Sequence, residues 1–182
     1  MIQRMSRENP LWGTPRIQSE LALPGYIVAR IDPRLTDLGT DPRPPGCKKL
    51  KLHEGDGLFV MGATGESPQR VADHGFDPAW SPDGTRLVYT TENVTDPYSR
   101  STTAQLWVVE LGSREKRLLH RGDAVAPVFS PSGTRIAFWA AINGIRDIWT
   151  MPAAGGDPQP VTTDTHTDWN PFFSPEGRTL YF

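Results

Sequence analysis

Any chemistry in this chain would fall to its serines, its histidines and its carboxylates. The four histidines, His53, His74, His120 and His166, are scattered singly. The run Asp164-Thr165-His166-Thr167-Asp168 gathers two carboxylates and an imidazole, ligand types that a divalent cation takes. So short a polar run reads as a turn, and no metal site is assigned to it. Ser81, Ser130 and Ser174 each open a Ser-Pro-x-Gly stretch. A serine hydrolase presents its nucleophile on a G-x-S-x-G elbow, and the sequence holds none. Asp83-Gly84 lacks the repeated acidic ligands of a calcium loop. There is neither a phosphate-binding loop nor a dinucleotide fingerprint. The single cysteine, Cys47, excludes an intrachain disulfide and a Cys-rich zinc site. The reading is therefore of a chain with no catalytic residues, no metal and no cofactor, and not an enzyme.

Composition points to short elements. The chain has 182 residues with 17 glycines and 18 prolines, which leaves little room for long helices. Hydrophobic residues at 37% and charged residues at 22% permit a core. Charge is uneven: residues 1–51 hold nine Lys/Arg against five Asp/Glu, and residues 52–182 hold ten against sixteen. A basic nucleic-acid footprint over the whole chain is excluded.

The serines belong to a repeat. Phe76-Asp77-Pro78-Ala79-Trp80-Ser81-Pro82-Asp83-Gly84 precedes "TRLVY", Val125 to Gly133 precedes "TRIAF", and Trp169 to Gly177 precedes "RTLYF". A second motif keeps step with it: Leu58-Phe59-Val60-Met61, Leu106-Trp107-Val108-Val109 and Ile148-Trp149-Thr150-Met151. Pro in the Ser-Pro-x-Gly stretch pre-sets φ for a type I turn, and Gly takes the left-handed conformation that closes a hairpin. Four short strands per repeat of roughly 40–50 residues is the pattern of a β-propeller blade. Pro78, Pro127 and Pro171 fall inside the first strand of each repeat, which must then be an edge strand. Trp80, Trp107, Trp149 and Trp169 recur with the repeat and read as inter-blade core.

"PAWSPDGTRLVY", "PVFSPSGTRIAF" and "PFFSPEGRTLYF" resemble the WD40-like PD40 repeats of TolB-type propellers. The resemblance covers residues 52–182. Ser132 departs from the usual Asp, and Glu176 replaces it conservatively. It implies an all-β fold: an incomplete propeller of about three four-stranded blades, the last one partial. Similar blades occur in prolyl-oligopeptidase-like peptidases and in bacterial sensor kinases and regulators. It implies a non-catalytic module that binds a protein or small ligand, or the detached recognition propeller of such an enzyme.

Residues 1–29 differ. Thr14 caps a short helix that starts at Pro15 and stops at Pro24-Gly25. "MSRENPLWGTPRIQSEL" resembles the helix-turn-helix segment of integrase-type transposases, which implies a helical remnant, and a DNA-binding fusion as a further alternative. Residues 30–51 read as a linker or a partial strand region. Nothing approaches a membrane span, and the lack of an apolar export segment places the chain as written in the cytoplasm, although many family relatives are periplasmic.

Propellers bind through the mouth of the channel. Asp77, Ala126 and Asn170 precede the first strands, with Asp123 and Asp168 in the entering loops. Asp77, Asp123, Asp168 and Asn170 are the candidate ligand or partner contacts. A ring needs at least about four blades, and roughly 45 residues per blade allows about three in residues 52–182. Open edges and self-association are the expected result, with truncation at both ends as the expected origin.

Overall fold

The computed structural model describes residues 26–30, 57–62, 67–92, 94, 103–142 and 145–182. The helix expected at Thr14–Leu23 and all but Arg30 of the linker expected at 30–51 lie outside the described residues. Every element among the described residues is a strand, and the strands form four antiparallel sheets in chain order. The first holds β1 (Tyr26–Arg30), β2 (Leu58–Gly62) and β3 (Gln69–Ala72). The second holds β4 (Phe76–Trp80), β5 (Arg86–Thr90), β6 (Leu106–Glu110) and β7 (Lys116–His120). The third holds β8 (Val125–Phe129), β9 (Arg135–Ile142), β10 (Ile145–Pro152) and β11 (Gln159–Pro160). The fourth holds β12 (Phe172–Phe173) and β13 (Leu180–Tyr181). The expected three units are thus joined by an earlier three-stranded sheet. β1 pairs with β2 along its whole length, from Tyr26 opposite Gly62 to Arg30 opposite Leu58. The division expected at residue 29 therefore falls within a strand that belongs to the first sheet.

The Ser-Pro-x-Gly stretches fold as their residue types require. In each turn the Gly amide donates to the Ser carbonyl, and the Ser amide donates to the carbonyl five residues on, all at 2.8–2.9 Å. Gly84, Gly133 and Gly177 sit at φ 70–71°, where a side chain would be strained. A Cβ on Gly133 would lie 3.5 Å from Pro82 Cδ, and one on Gly177 would lie 3.3 Å from Pro131 Cδ. The prolines of the first two turns therefore each lie on the glycine of the turn that follows.

The sheets pack face to face, which explains why β5 and β9 read as near-continuous apolar runs rather than alternating ones. Successive residues of β5 face opposite neighbours. Leu87 and Tyr89 join Leu58, Val71 and Ala72 of the first sheet. Val88 joins Phe129, Ile136 and Phe138 of the third. Trp139 and Ile148 on the far side of the third sheet meet Leu180 of the fourth. Each fully buried Leu or Ile contributes roughly 1.5–3 kcal/mol. A one-residue slip in β5 would swap its two faces and dismantle both cores at once. β4 lies beside β8, and β8 beside β12, so the first strands of successive sheets form an inner row.

Candidate functional site

The inner row carries or adjoins the candidate residues Asp77 and Asn170. β4 and β8 are edge strands of their sheets, so Pro78 and Pro127 cost no ladder hydrogen bond there. The residue ahead of each proline has a positive φ: Asp77 at 47°, Ala126 at 48° and Asn170 at 51°. In β4 the register slips between Phe76 and Ala79, and in β8 between Val125 and Val128. Each slip is a β-bulge that kinks the inner strand at the left-handed residue. Such a conformation is uncommon for a residue with a Cβ, and least so for Asn and Asp. Asp77 and Ala126 therefore lie within their strands rather than just ahead of them as the sequence reading expects, while Asn170 does precede β12.

The four candidate residues fall into two environments. Asp77 and Asn170 are exposed, each with a positive φ ahead of a proline. Although Asp77 is exposed, neighbouring protein atoms partly desolvate its carboxyl. That desolvation pushes the carboxyl up to about 6 from its ordinary 3.8. Asp123 is buried in the loop between β7 and β8. Its Oδ1 accepts the amide of Ala104 at 2.9 Å, and its Oδ2 accepts the amide of Ala141 at 2.8 Å. Ala104 lies just ahead of β6 and Ala141 within β9, so this carboxylate ties the chain entering β6 to the third sheet. Asp168 donates its amide to the Arg146 carbonyl at 3.0 Å. Its Oδ2 is buried and has no hydrogen-bond partner among the described residues. Asp77, Ala126 and Asn170 hold equivalent left-handed positions ahead of a proline, and Asp123 stands apart from them, buried with both oxygens on backbone amides.

Other polar groups are used locally. Ser81 Oγ accepts the Arg86 amide at 2.9 Å, Ser130 Oγ the Arg135 amide at 3.1 Å, and Ser174 Oγ the Thr179 amide at 3.2 Å. All three serines are buried. Asp83 accepts from the Ser81 hydroxyl at 2.5 Å and from the Thr85 amide and hydroxyl at 3.1 and 2.9 Å. Led by the Ser81 hydrogen bond, these donors hold its carboxyl down at about 2. The fixed place of each serine ahead of its proline is the sequence signal for this bond. Asp164 Oδ1 accepts the His166 amide at 2.7 Å in an exposed turn. Among the described residues no group of three His, Cys, Asp or Glu side chains is placed to hold a metal ion. No described helix is long and apolar enough to cross a membrane.

Comparison with known proteins fits this geometry. Residues 62–182 match the family described as PD40, TolB beta propeller domain. The Tol-Pal system protein TolB of Anaeromyxobacter dehalogenans (strain 2CP-1 / ATCC BAA-258) is 36% identical over 95 residues, covering 52% of this chain and 20% of that protein. The chain thus spans about a fifth of the length of the first curated relatives it matches. The solved structure of a TolB-like protein from Agrobacterium tumefaciens superposes with a TM-score of 0.59 at 22% identity, covering 73% of this chain and 47% of that one. TolB from Acinetobacter baumannii gives 0.58 at 22% identity, covering 69% and 31%. At that identity the likeness shows the fold: antiparallel sheets resembling TolB propeller blades.

Proposed function

The chain belongs to the TolB β-propeller domain family, and from that premise we propose that it is a non-catalytic binding module whose contact surface is the inner row of strand bulges. One observation carries the reading. The backbone at Asp77, Ala126 and Asn170 is left-handed at the same place ahead of a proline, while the side chains are acidic, apolar and amide. A rigid backbone position bearing different chemistry in each repeat is what a recognition surface requires. The likeness to a Tol-Pal system protein makes a protein partner the first class to test.

The remaining polar groups support a role without catalysis. Ser81, Ser130 and Ser174 are buried with their hydroxyls spent on turn amides. His166 is exposed beside Asp164, and among the described residues no serine hydrogen-bonds to it.

The test has two arms. A phage-displayed peptide library is selected on the purified chain, and the best peptide is measured against Asp77→Ala, Asn170→Ala and Ile145→Ala. Loss of at least about tenfold in affinity for the first two, and none for the third, supports the reading. Equal binding to all three, or ester or peptide hydrolysis abolished by a single Ser or His substitution, would overturn it.

A further inference from the structure

β7 ends at His120, on the seam where the second sheet meets the third. The ring is half-buried and faces Phe138 of β9, with centroids 6.0 Å apart and planes tilted by 32°. Across the ladder lies its register partner Leu106 of β6, which is fully buried in the same core as Phe138. The ring's Nε2 rests on the loop that follows: a Cβ on Gly122 would come within 2.5 Å of that nitrogen. The next residue of the loop is Asp123, whose two oxygens accept the Ala104 and Ala141 amides. The imidazole is thus packed on the backbone one residue before the carboxylate that ties the chain entering β6 to the third sheet.

Two carboxylates act on the ring, Asp123 from this loop and Asp157 from the turn between β10 and β11. β6 and β9 contribute the apolar Leu106 and Phe138. On β7 itself Lys116 is held by Asp73 at 2.9 Å, and Arg117 donates to the Ala154 carbonyl at 3.1 Å. Arg121, next in the chain, is exposed. Burial outweighs the two carboxylates and holds the ring's pKa below its ordinary 6.5. The fold therefore favours the neutral ring. That contribution is complete above 6.5 and is lost as pH falls through the lower, folded value.

We propose that His120 is an acid-sensitive clasp between the second and third sheets, and that its protonation loosens them from one another. Two physical effects act together. The charged ring is left against Phe138 and Leu106, which solvate it far less well than water does. It also attracts the Asp123 carboxylate, in competition with the amides of Ala104 and Ala141. Drawing that carboxylate away leaves two backbone donors unpaired at the seam. The same seam sets β4 beside β8, so loosening it parts Asp77 from Ala126. The inference concerns the joint between the sheets and does not depend on the binding role proposed above.

Nuclear magnetic resonance of the isotope-labelled full chain tests it, between about pH 7.5 and about pH 5, where histidine titrates. An Asp77→Asn background silences the carboxyl that titrates at about 6. The His120 ring is expected to titrate with a midpoint below 6.5, and the Ala104 and Ala141 amides to shift with that same midpoint. Protection of those two amides against hydrogen exchange, corrected for intrinsic rates, should fall at least about threefold from the neutral to the acid end. His120→Gln and His120→Phe, neither of which takes up a proton, should each abolish both changes, and two variants guard against misfolding of either. His166→Gln, in an exposed turn, should abolish neither. A ring midpoint at or above 6.5, amides that do not follow the ring, or a loss of protection that survives His120→Gln would overturn the proposal.

Discussion

At the scale of single residues, carboxylates that look alike in the sequence do different work. Asp123 is a candidate contact because it sits in an entering loop, and its two oxygens accept the amides of Ala104, ahead of β6, and Ala141 in β9. Asp123→Ala strands two buried donors and should cost about 2–4 kcal/mol in urea unfolding, given roughly 1–3 kcal/mol per unsatisfied group. Asp77 behaves oppositely. Its carboxyl, raised to about 6, favours the protonated form in the fold. That contribution is complete below the ordinary 3.8 and is lost as pH rises through about 6. Asp77→Asn keeps the left-handed backbone, as Asn170 does, and removes the ionisation. The variant should match the parent's melting temperature near pH 4 and exceed it at pH 7, as a thermal melt at each pH would show. The type of an Asp is legible in a sequence, but its partners are not, because they come from strands distant in the chain.

At the scale of elements, the hairpins were legible and the bulges were not. Ser-Pro-x-Gly encodes its turn locally: proline fixes one φ, glycine takes the positive one, and serine caps the amide five residues on. The bulges at Asp77 and Ala126 follow from long-range register between two strands, which no local preference announces. Recurrence of tryptophan was also an incomplete guide. Trp80 is buried, Trp107 and Trp149 partly so, and Trp169 lies exposed, while Trp139 outside the repeat signal fills the core. The middle turn offers an element-scale prediction. Ser132 reaches only Ser130 and Thr134 with its hydroxyl, where Asp83 accepts three hydrogen bonds. Ser132→Asp should restore that pattern and stabilise the chain by about 0.5–1 kcal/mol, read as a higher urea midpoint with an unchanged slope.

At the scale of the whole molecule, the repeat spacing conveyed the architecture. Two motifs in step implied stacked four-stranded units, and the second and third sheets are such units. The earlier sheet was less legible because β1 and β2 are separated by residues 31–57, too long a gap for a hairpin signal. Stacking the sheets sets their first strands side by side, and the proposed recognition runs along that inner row. The most direct measurement is an amide chemical-shift map of the isotope-labelled chain, titrated with a peptide selected on it. Perturbations centred on residues 76–77, 125–126 and 169–170, and weakened by Asp77→Asn, are the predicted result. Perturbations confined to the outer strands β7 and β11, with the bulges silent, would contradict it.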